Sequence, residues 1–427
     1  MAQHLVCVVC LPDLPVSSLP SSPAAAPPAA RMSPLFVVAL LALLLGFQPL
    51  TTDLYLPALP LLAEQLQAST AHTQATFYAM ILAFGCAQLV WGPLSDRWGR
   101  RPILLAGIAL YTVAALGCTL APHMQALIAW RSLQGAAMGA VVMAARAIVR
   151  DLYPPAEGAH VMSKALTGLG LLACSSTLIG SWLANHLGWR ATMAALVVVG
   201  LLAGGLVALF FRESLRQPNP HALHPGRWCS NSLSILRNPT FLAFTATTTS
   251  SYCALVVLLT AAPFTFVQVL GWSSTQVAWL LSAHGAVYIC GTIVCRHLLR
   301  RWGVRRTVSA AGAVALLCAA LLVLLACSGV QQGLAYAAVC LLFPLTHGIQ
   351  QSCGQSGAIS GFAQQAGLAS ALNGCLMMAV AFVTGWVLGR SFNGTVYPLV
   401  FGMGLWCVAA ALASWTLVRR HGTPPDA

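Results

Sequence analysis

Long apolar runs, broken at regular intervals by short polar punctuation, dominate this chain. The first, LFVVALLALLLG from Leu35 to Gly46, neither alternates with period two nor leaves a polar stripe. A continuous apolar run of this length predicts a helix with apolar surroundings on every side. Twelve such helices are predicted, over 34–58, 72–91, 103–121, 125–149, 162–184, 191–211, 239–262, 275–298, 306–327, 331–353, 366–389 and 396–418. The longest interruption, 212–238, carries Arg212, Glu213, Arg216, Arg227 and Arg237 and divides the chain into six plus six.

Composition agrees with that pattern. Of the 427 residues, 58% are hydrophobic and 7% charged, whereas soluble domains run at about 25% charged. The bilayer is therefore the solvent, and at about 20 residues per crossing twelve helices fit the available apolar sequence. A membrane β-barrel would need alternating polar and apolar positions, which these runs lack. The predicted fold is all-α: a polytopic membrane protein with two pseudo-symmetric six-helix bundles, 34–211 and 239–420. A cytoplasmic central loop spans 212–238 and a short tail 421–427. Residues 1–33 are rich in Pro, Ala and Ser and cannot pack a core. They are read as a disordered or non-native extension, with Met32 as the favoured start.

Charge changes the picture in two ways. The net charge of +13 suggests a nucleic-acid binder until the basic residues are placed, since they punctuate the apolar runs instead of gathering on one domain. With the N-terminus inside, 17 of the 21 Lys and Arg residues fall in cytoplasmic segments and two, Arg190 and Arg390, outside. Arg131 and Arg146 lie within the fourth helix. The positive-inside rule then places both termini in the cytoplasm. The 15 cysteines are scattered, and Cys7 and Cys10 have no second pair at metal-ligand spacing. No metal site is expected, and the absence of a G-K-[ST] phosphate loop excludes a nucleotide-driven pump of that type.

The punctuation also repeats. GPLSDRWGRRP (Gly92–Pro102) follows the second helix, and RRWGVRR (Arg300–Arg306) follows the eighth. Any short cytoplasmic loop gathers Arg, but composition does not explain a shared Trp-Gly in the same register. Two six-helix repeats with a site between them near the bilayer midplane are a recurring transporter plan.

Three motifs carry a family resemblance. GPLSDRWGRRP resembles the loop 2–3 signature of the major facilitator superfamily. RSLQGAAMGA (Arg131–Ala140) resembles the fourth-helix signature of its proton-coupled members. TTDLYLPALPLLAEQLQAS (Thr51–Ser69), with ARAIVRDLY at 145–153, is similar to the bicyclomycin/chloramphenicol-resistance branch of drug:proton antiporters. The resemblance runs from Met32 to about Arg420. It implies a monomeric carrier in a bacterial inner membrane, driven by the proton gradient, with no other cofactor and small drug-like molecules as substrates. One departure stands out. The branch usually places a Pro and paired glycines in helix 5, where this chain reads ACSSTLIGSWL, keeping Gly180 alone.

Only eight acidic residues exist, and of these only Asp53 falls inside a predicted span. An intramembrane carboxylate is costly and by default marks an ion pathway. A carboxyl group in a low-dielectric site favours its protonated form, the property that a proton carrier needs. Asp53 is thus the expected proton-carrying group, with cationic or polar drugs competing for its site. The alternative is a wetted structural Asp at the outer helix end. Arg131 is expected by resemblance to line the cavity and tune proton release, with Gln134 beside it; snorkelling to the outer headgroups is its alternative.

In loop 2–3, Gly92 and Gly99 are expected to turn the backbone and Pro102 to open the next helix. The resemblance implies a latch in which Asp96 faces the start of helix 11 near Gly367 and Arg100 pairs with Asp151. Arg97, Arg101 and Glu213 would join it. Candidate aromatic walls for flat substrates are Tyr55, Tyr78, Phe84, Tyr252, Phe264 and Phe382, although aromatics on membrane helices commonly just pack. His284 and His347 are read as hydrogen-bonded structure. A transporter of a sugar or amino-acid derivative is the competing function; no H-x-x-x-H array supports a membrane enzyme.

Overall fold

The computed structural model describes residues 33–215, 217–218, 225–362 and 365–422. The extension before Ser33, Arg216, residues 219–224 of the central loop and residues 423–427 of the tail lie outside them. Every regular element among the described residues is helical.

Among the described residues, eleven helical segments are long and apolar enough to cross a bilayer. The longest, Ser274–Cys327, has 54 residues, about 80 Å at 1.5 Å per residue, against a hydrocarbon core of about 30 Å. It holds two crossings, because Gly303 sits at φ 71° and breaks the helix. There are thus twelve: α1 (Pro34–Asp53), α2 (Thr70–Trp98), α3 (Arg100–Thr119), α4 (Met124–Leu152), α5 (Pro155–Leu187), α6 (Trp189–Phe210), α7 (Pro239–Phe264), α8 (274–302), α9 (304–327), α10 (Gly333–Ile359), α11 (Ala366–Ser391) and α12 (Tyr397–Leu412). A short amphipathic helix, Pro225–Leu236, lies in the central connection.

Several boundaries differ from the hydropathy reading. The first helix stops at Asp53, not at 58; a 3-10 turn (Leu56–Ala58) and a short helix (Leu59–Gln65) follow. Pro57 and Pro60 explain the break, since each lacks an amide hydrogen and its ring collides with the preceding turn of a continuous helix. In the other direction, α2 continues to Trp98, α5 starts at Pro155 and α10 runs to Ile359. Polar residues at these ends stop the apolar run without stopping the backbone hydrogen bonding. Caps set other ends: Ser69 accepts from the His72 amide, Asn238 from Thr240 and Phe241, and Ser273 with Gln276 forms a reciprocal capping box.

Packing repeats between the halves. In the first, α1 lies against α5, α2 against α4 and α3 against α6; in the second, α7 meets α11, α8 meets α10 and α9 meets α12. The seam between bundles follows the same two-fold relation, with α2 against α11 and α5 against α8. Small residues allow these approaches. A Cβ at Gly135 or Gly139 would press on the α2 backbone at Met80 or Phe84, and one at Gly385 would strike Tyr78.

Among the described residues, hydrogen bonds join the bundles at one end and near the middle. Gln74 Nε2 donates to the Thr260 carbonyl at 2.8 Å and Asn185 to Thr275 at 3.3 Å, both at the end opposite the termini. Nearer the middle, Ser282 donates to the Cys174 carbonyl at 2.7 Å and the Cys86 and Cys375 thiols meet at 4.0 Å. The links from Gln74 and Asn185 close the cleft at the end opposite the termini.

Candidate functional site

Asp53 ends α1, where the break turns the chain across the bundle. Thr52 Oγ1 donates to its carboxylate at 2.6 Å. The side chain lies deep among the helices yet keeps part of its surface accessible, as a group lining an internal cleft does. It lies near enough to Cys174 of α5 and Tyr252 of α7 for its charge to bear on both. The close pass of α5 over this point depends on Gly180, where a Cβ would collide with the Leu54 carbonyl. Without the branch's proline, α5 is continuous, and the glycine that this sequence keeps is the one packed beside Asp53.

Arg131 is fully buried, which excludes snorkelling. Its guanidinium donates to Gln134 Oε1 at 2.7 Å and to the Thr51 carbonyl at 2.9 Å, and stacks on the Tyr55 ring at 4.0 Å. Its partners are neutral; no ion pair with Asp53 is recorded among the described residues. Thr51 also donates to the Phe47 carbonyl and shares a 2.6 Å hydrogen bond with Tyr111. Arg131 thus fixes the last turn of α1 two residues before Asp53. Its connection to the acid runs through backbone, not through opposite charge.

Three of the aromatics expected as walls are packed within the helices. Tyr55 is fully buried under Arg131 and hydrogen-bonded to Thr76, Phe84 is buried, and Phe264 is buried against Phe392. Gln134 is likewise fully buried, held by Arg131. Tyr78 and Phe382 pack edge-to-face at 5.5 Å in the α2–α11 seam. Tyr252 of α7 lies near enough to Asp53 for its charge to bear on it. His347 shares a 2.8 Å hydrogen bond with Ser251, while His284 Nδ1 has no partner.

Two features escaped the sequence reading. The first is a polar band in the second bundle. Thr245, Thr249 and Tyr252 fall at i, i+4 and i+7 on one face of α7, while Thr248 donates to Asn373 Oδ1 of α11 at 3.2 Å and receives at its carbonyl from Gln351 of α10 at 3.0 Å. Gln355 extends this chain to Gln351. The strings TATTTSSY (245–252) and THGIQQSCGQS (346–356), rare in an apolar run, were the available signal. The second is Arg146 on α4. It is surrounded by helices but exposed, and it makes no recorded hydrogen bond or ion pair. One turn on, Arg150 approaches Gly367 at the start of α11, so this stripe of α4 faces the second bundle.

The charged cluster forms a compact clasp at the α2–α3 break. Arg100 is buried and donates from Nε to Asp151 at 2.7 Å and from Nη1 to Asp96 at 2.6 Å and Ser95 at 3.0 Å. Glu213 caps α3, accepting from the Arg100 and Arg101 amides at 2.9 and 3.0 Å, where the helix dipole favours a negative charge. Arg101 reaches the Ala208 carbonyl, and Arg97 lies exposed in the last turn of α2. The turn is made by Gly99 alone, at φ 100°, with the Glu213 carboxylate where a Cβ would stand. Gly92 does not turn the chain; it lies inside α2, where a Cβ would meet nothing. Asp96 bonds Arg100, and the residue recorded beside Gly367 is Arg150.

Comparison with known proteins fits this geometry. The bicyclomycin resistance protein homolog of Haemophilus influenzae is 25% identical over 382 residues, covering 87% of this chain and 94% of the relative. The chloramphenicol resistance protein of Pseudomonas aeruginosa is 27% identical over 76% of each chain. Multidrug resistance protein MdtL of Escherichia coli is 28% identical over 59% of this chain and 63% of its own. Among solved structures, a D-xylose–proton symporter superposes with a TM-score of 0.68 at 17% identity, covering 90% of this chain and 97% of that one; this likeness shows the fold alone. The family profile described as Major Facilitator Superfamily matches residues 41–374, and with two six-helix bundles around a one-ended cleft, the chain belongs to the major facilitator superfamily of membrane transporters.

Proposed function

We propose that the protein is a proton-coupled secondary exporter of small drug-like molecules, working by alternating access as a monomer in a bacterial inner membrane with both termini cytoplasmic. Asp53 is the proton carrier. The observation that carries this reading is its position: an acid at the α1 break deep among the helices, its carboxylate held by Thr52 at 2.6 Å and beside Gly180 of α5. Resistance proteins among the relatives support the drug-export class, and the arginine-rich end supports the orientation.

In this scheme the bundles rock about the α2–α11 and α5–α8 seams. The present arrangement, joined at the end opposite the termini, corresponds to the cleft open toward the cytoplasm. As substrate enters there, Asp53 releases its proton to the cytoplasm. Reorientation exposes the cleft outward, substrate leaves, and an incoming proton resets Asp53. Arg131 acts on Asp53 by holding the Thr51 carbonyl. The clasp at Gly99 stiffens the first bundle during the swing and biases the two-state equilibrium.

The test is chloramphenicol transport in everted membrane vesicles with an imposed pH gradient, comparing wild type with Asp53→Asn. The expected result is loss of gradient-driven accumulation at unchanged protein level. Wild-type accumulation with wild-type pH dependence in the variant overturns the assignment.

A further inference from the structure

We infer that α9 and α12, at their ends nearest the chain termini, form a docking site for an anionic phospholipid. Arg306 and Arg419 hold the headgroup phosphate, and the acyl chains lie along the two helices. This site does not depend on the exporter reading. With Gly303 aligned on Gly99, Trp302 falls on Trp98, but Arg300 stands where Asp96 does and Val304 where Arg100 does. In the first half three carboxylates, those of Asp96, Asp151 and Glu213, balance the cluster from within the protein. In the second half no acidic residue occurs between Glu213 and Asp426. Arg300, Arg301, Arg306, Arg419 and Arg420 are all exposed, and none of them makes a recorded hydrogen bond or ion pair among the described residues. The positive-inside rule accounts for arginines at this end. It does not account for one elbow keeping three acids and the other none.

Packing brings two of these arginines to neighbouring positions. Beyond Leu412, α12 continues through a π-helical turn (Ala413–Val418) to His421. Trp415 in that turn donates from Nε1 to the Ser309 carbonyl of α9 at 3.0 Å. The helices are close here, since a Cβ at Gly312 would lie 3.2 Å from Ala411 and Ser414. Arg306 comes one turn before Ser309, and Arg419 one turn after Trp415. Because α9 and α12 run antiparallel, both lie beyond the contact on the side of the termini. Two unpaired guanidiniums on adjacent helices repel, and a phosphate that accepts from both removes that cost.

The surface leading to this point is apolar. Phe401, Leu405, Val408 and Leu412 are exposed along one face of α12, and Leu317 and Leu324 along α9. Trp302 and Trp415, 46% and 37% exposed, stand near the level where apolar surface gives way to charge, as interfacial tryptophans do. Apolar stripes ending in tryptophan and then arginine match the chains, glycerol and phosphate of a phospholipid; free phosphate or nucleic acid would leave the stripes unused. The uncompensated arginines select a net anionic headgroup over a zwitterionic one, whose ammonium adds to the local positive charge.

Native mass spectrometry of the purified, delipidated full-length protein, titrated with dioleoyl phosphatidylglycerol or dioleoyl phosphatidylcholine, resolves successive bound lipids and their dissociation constants. The first phosphatidylglycerol should bind about 30-fold more tightly than the first phosphatidylcholine, the preference that two arginines near the surface supply. Arg306→Gln with Arg419→Gln should bring that ratio to about one, and Arg306→Lys with Arg419→Lys should keep it within about threefold of wild type. Arg212→Gln with Arg237→Gln removes the same charge at exposed positions outside the patch and should leave the ratio unchanged. Equal affinity of wild type for the two lipids overturns the site. So does a loss in the Arg212 and Arg237 variant as large as that in the Arg306 and Arg419 variant, or displacement of bound phosphatidylglycerol by an equal concentration of inorganic phosphate.

Discussion

Replacing Arg131 by Lys keeps the charge and removes the geometry, so it separates the two roles that a buried guanidinium can have. The wild-type side chain donates to Gln134 at 2.7 Å and to the Thr51 carbonyl at 2.9 Å while lying 4.0 Å over the Tyr55 ring. These contacts need a flat fork, and the ammonium of Lys is a compact point charge on a flexible stem. It can satisfy one acceptor at most along the same path and loses the stacked face. One hydrogen bond to a charged group is worth about 1.5–3 kcal/mol and a desolvated cation–π contact about 2 kcal/mol. The variant should therefore lose about 3–5 kcal/mol of local stability, concentrated at the last turn of α1. In scanning fluorimetry of the detergent-solubilised protein, the melting transition should fall by several degrees. In proteoliposomes the pH profile of transport should move as well, because the Thr51 carbonyl no longer anchors the turn that ends in Asp53. A cycle with Gln134→Leu should show strong non-additivity, since both changes break the same contact. If the lysine protein melts and transports like wild type, Arg131 acts through charge alone and the positioning argument fails.

Two further expectations rest on other parts of the structure. Gly99→Ala forces a Cβ into the left-handed backbone at φ 100° and against the Glu213 carboxylate, a strain of about 1–2 kcal/mol plus the lost helix cap; membrane yield and thermal stability should drop, whereas Gly92→Ala should match wild type. At the seam, the Cys86 and Cys375 thiols lie 4.0 Å apart on different bundles, within reach of a disulfide after small adjustment. Copper-phenanthroline should oxidise the pair and stop transport, dithiothreitol should restore it, and Cys86→Ser should be insensitive; an oxidised wild type that still transports would show that α2 and α11 do not separate there.

What the sequence made legible follows from the solvent. Twelve crossings, the division after α6 and the duplicated Trp-Gly break could be read because a bilayer punishes polar residues and loops wherever they fall, so hydropathy and topology coincide. The α1 ending could not be read, since Leu54, Leu56 and Leu59 continue the apolar run past the point where the prolines bend it. Asp53 stood out as the sole acid within a span. Its separation from Arg131 did not, because a guanidinium satisfied by a carbonyl, an amide and a ring leaves no charge signature in the chain. The burial of the aromatics was hidden for a related reason: Tyr55, Phe84 and Phe264 have the composition of a binding wall, and only packing shows how deeply each is set among the helices. The threonine face of α7 was visible as a polar string, but which hydroxyls lack partners depends on the neighbours that α10 and α11 supply.

The two glycine breaks have unequal surroundings, with a mechanical consequence. At Gly99 a carboxylate fills the space beside the backbone, and the corner is riveted to α4 through Asp151 and to the chain after α6 through Glu213. At Gly303 a Cβ would stand in open space, and that half has no acid with which to build such a rivet. Duplication thus produced one stiff elbow and one supple one, and any strain arising in the rocking cycle should relax preferentially through the α8–α9 joint.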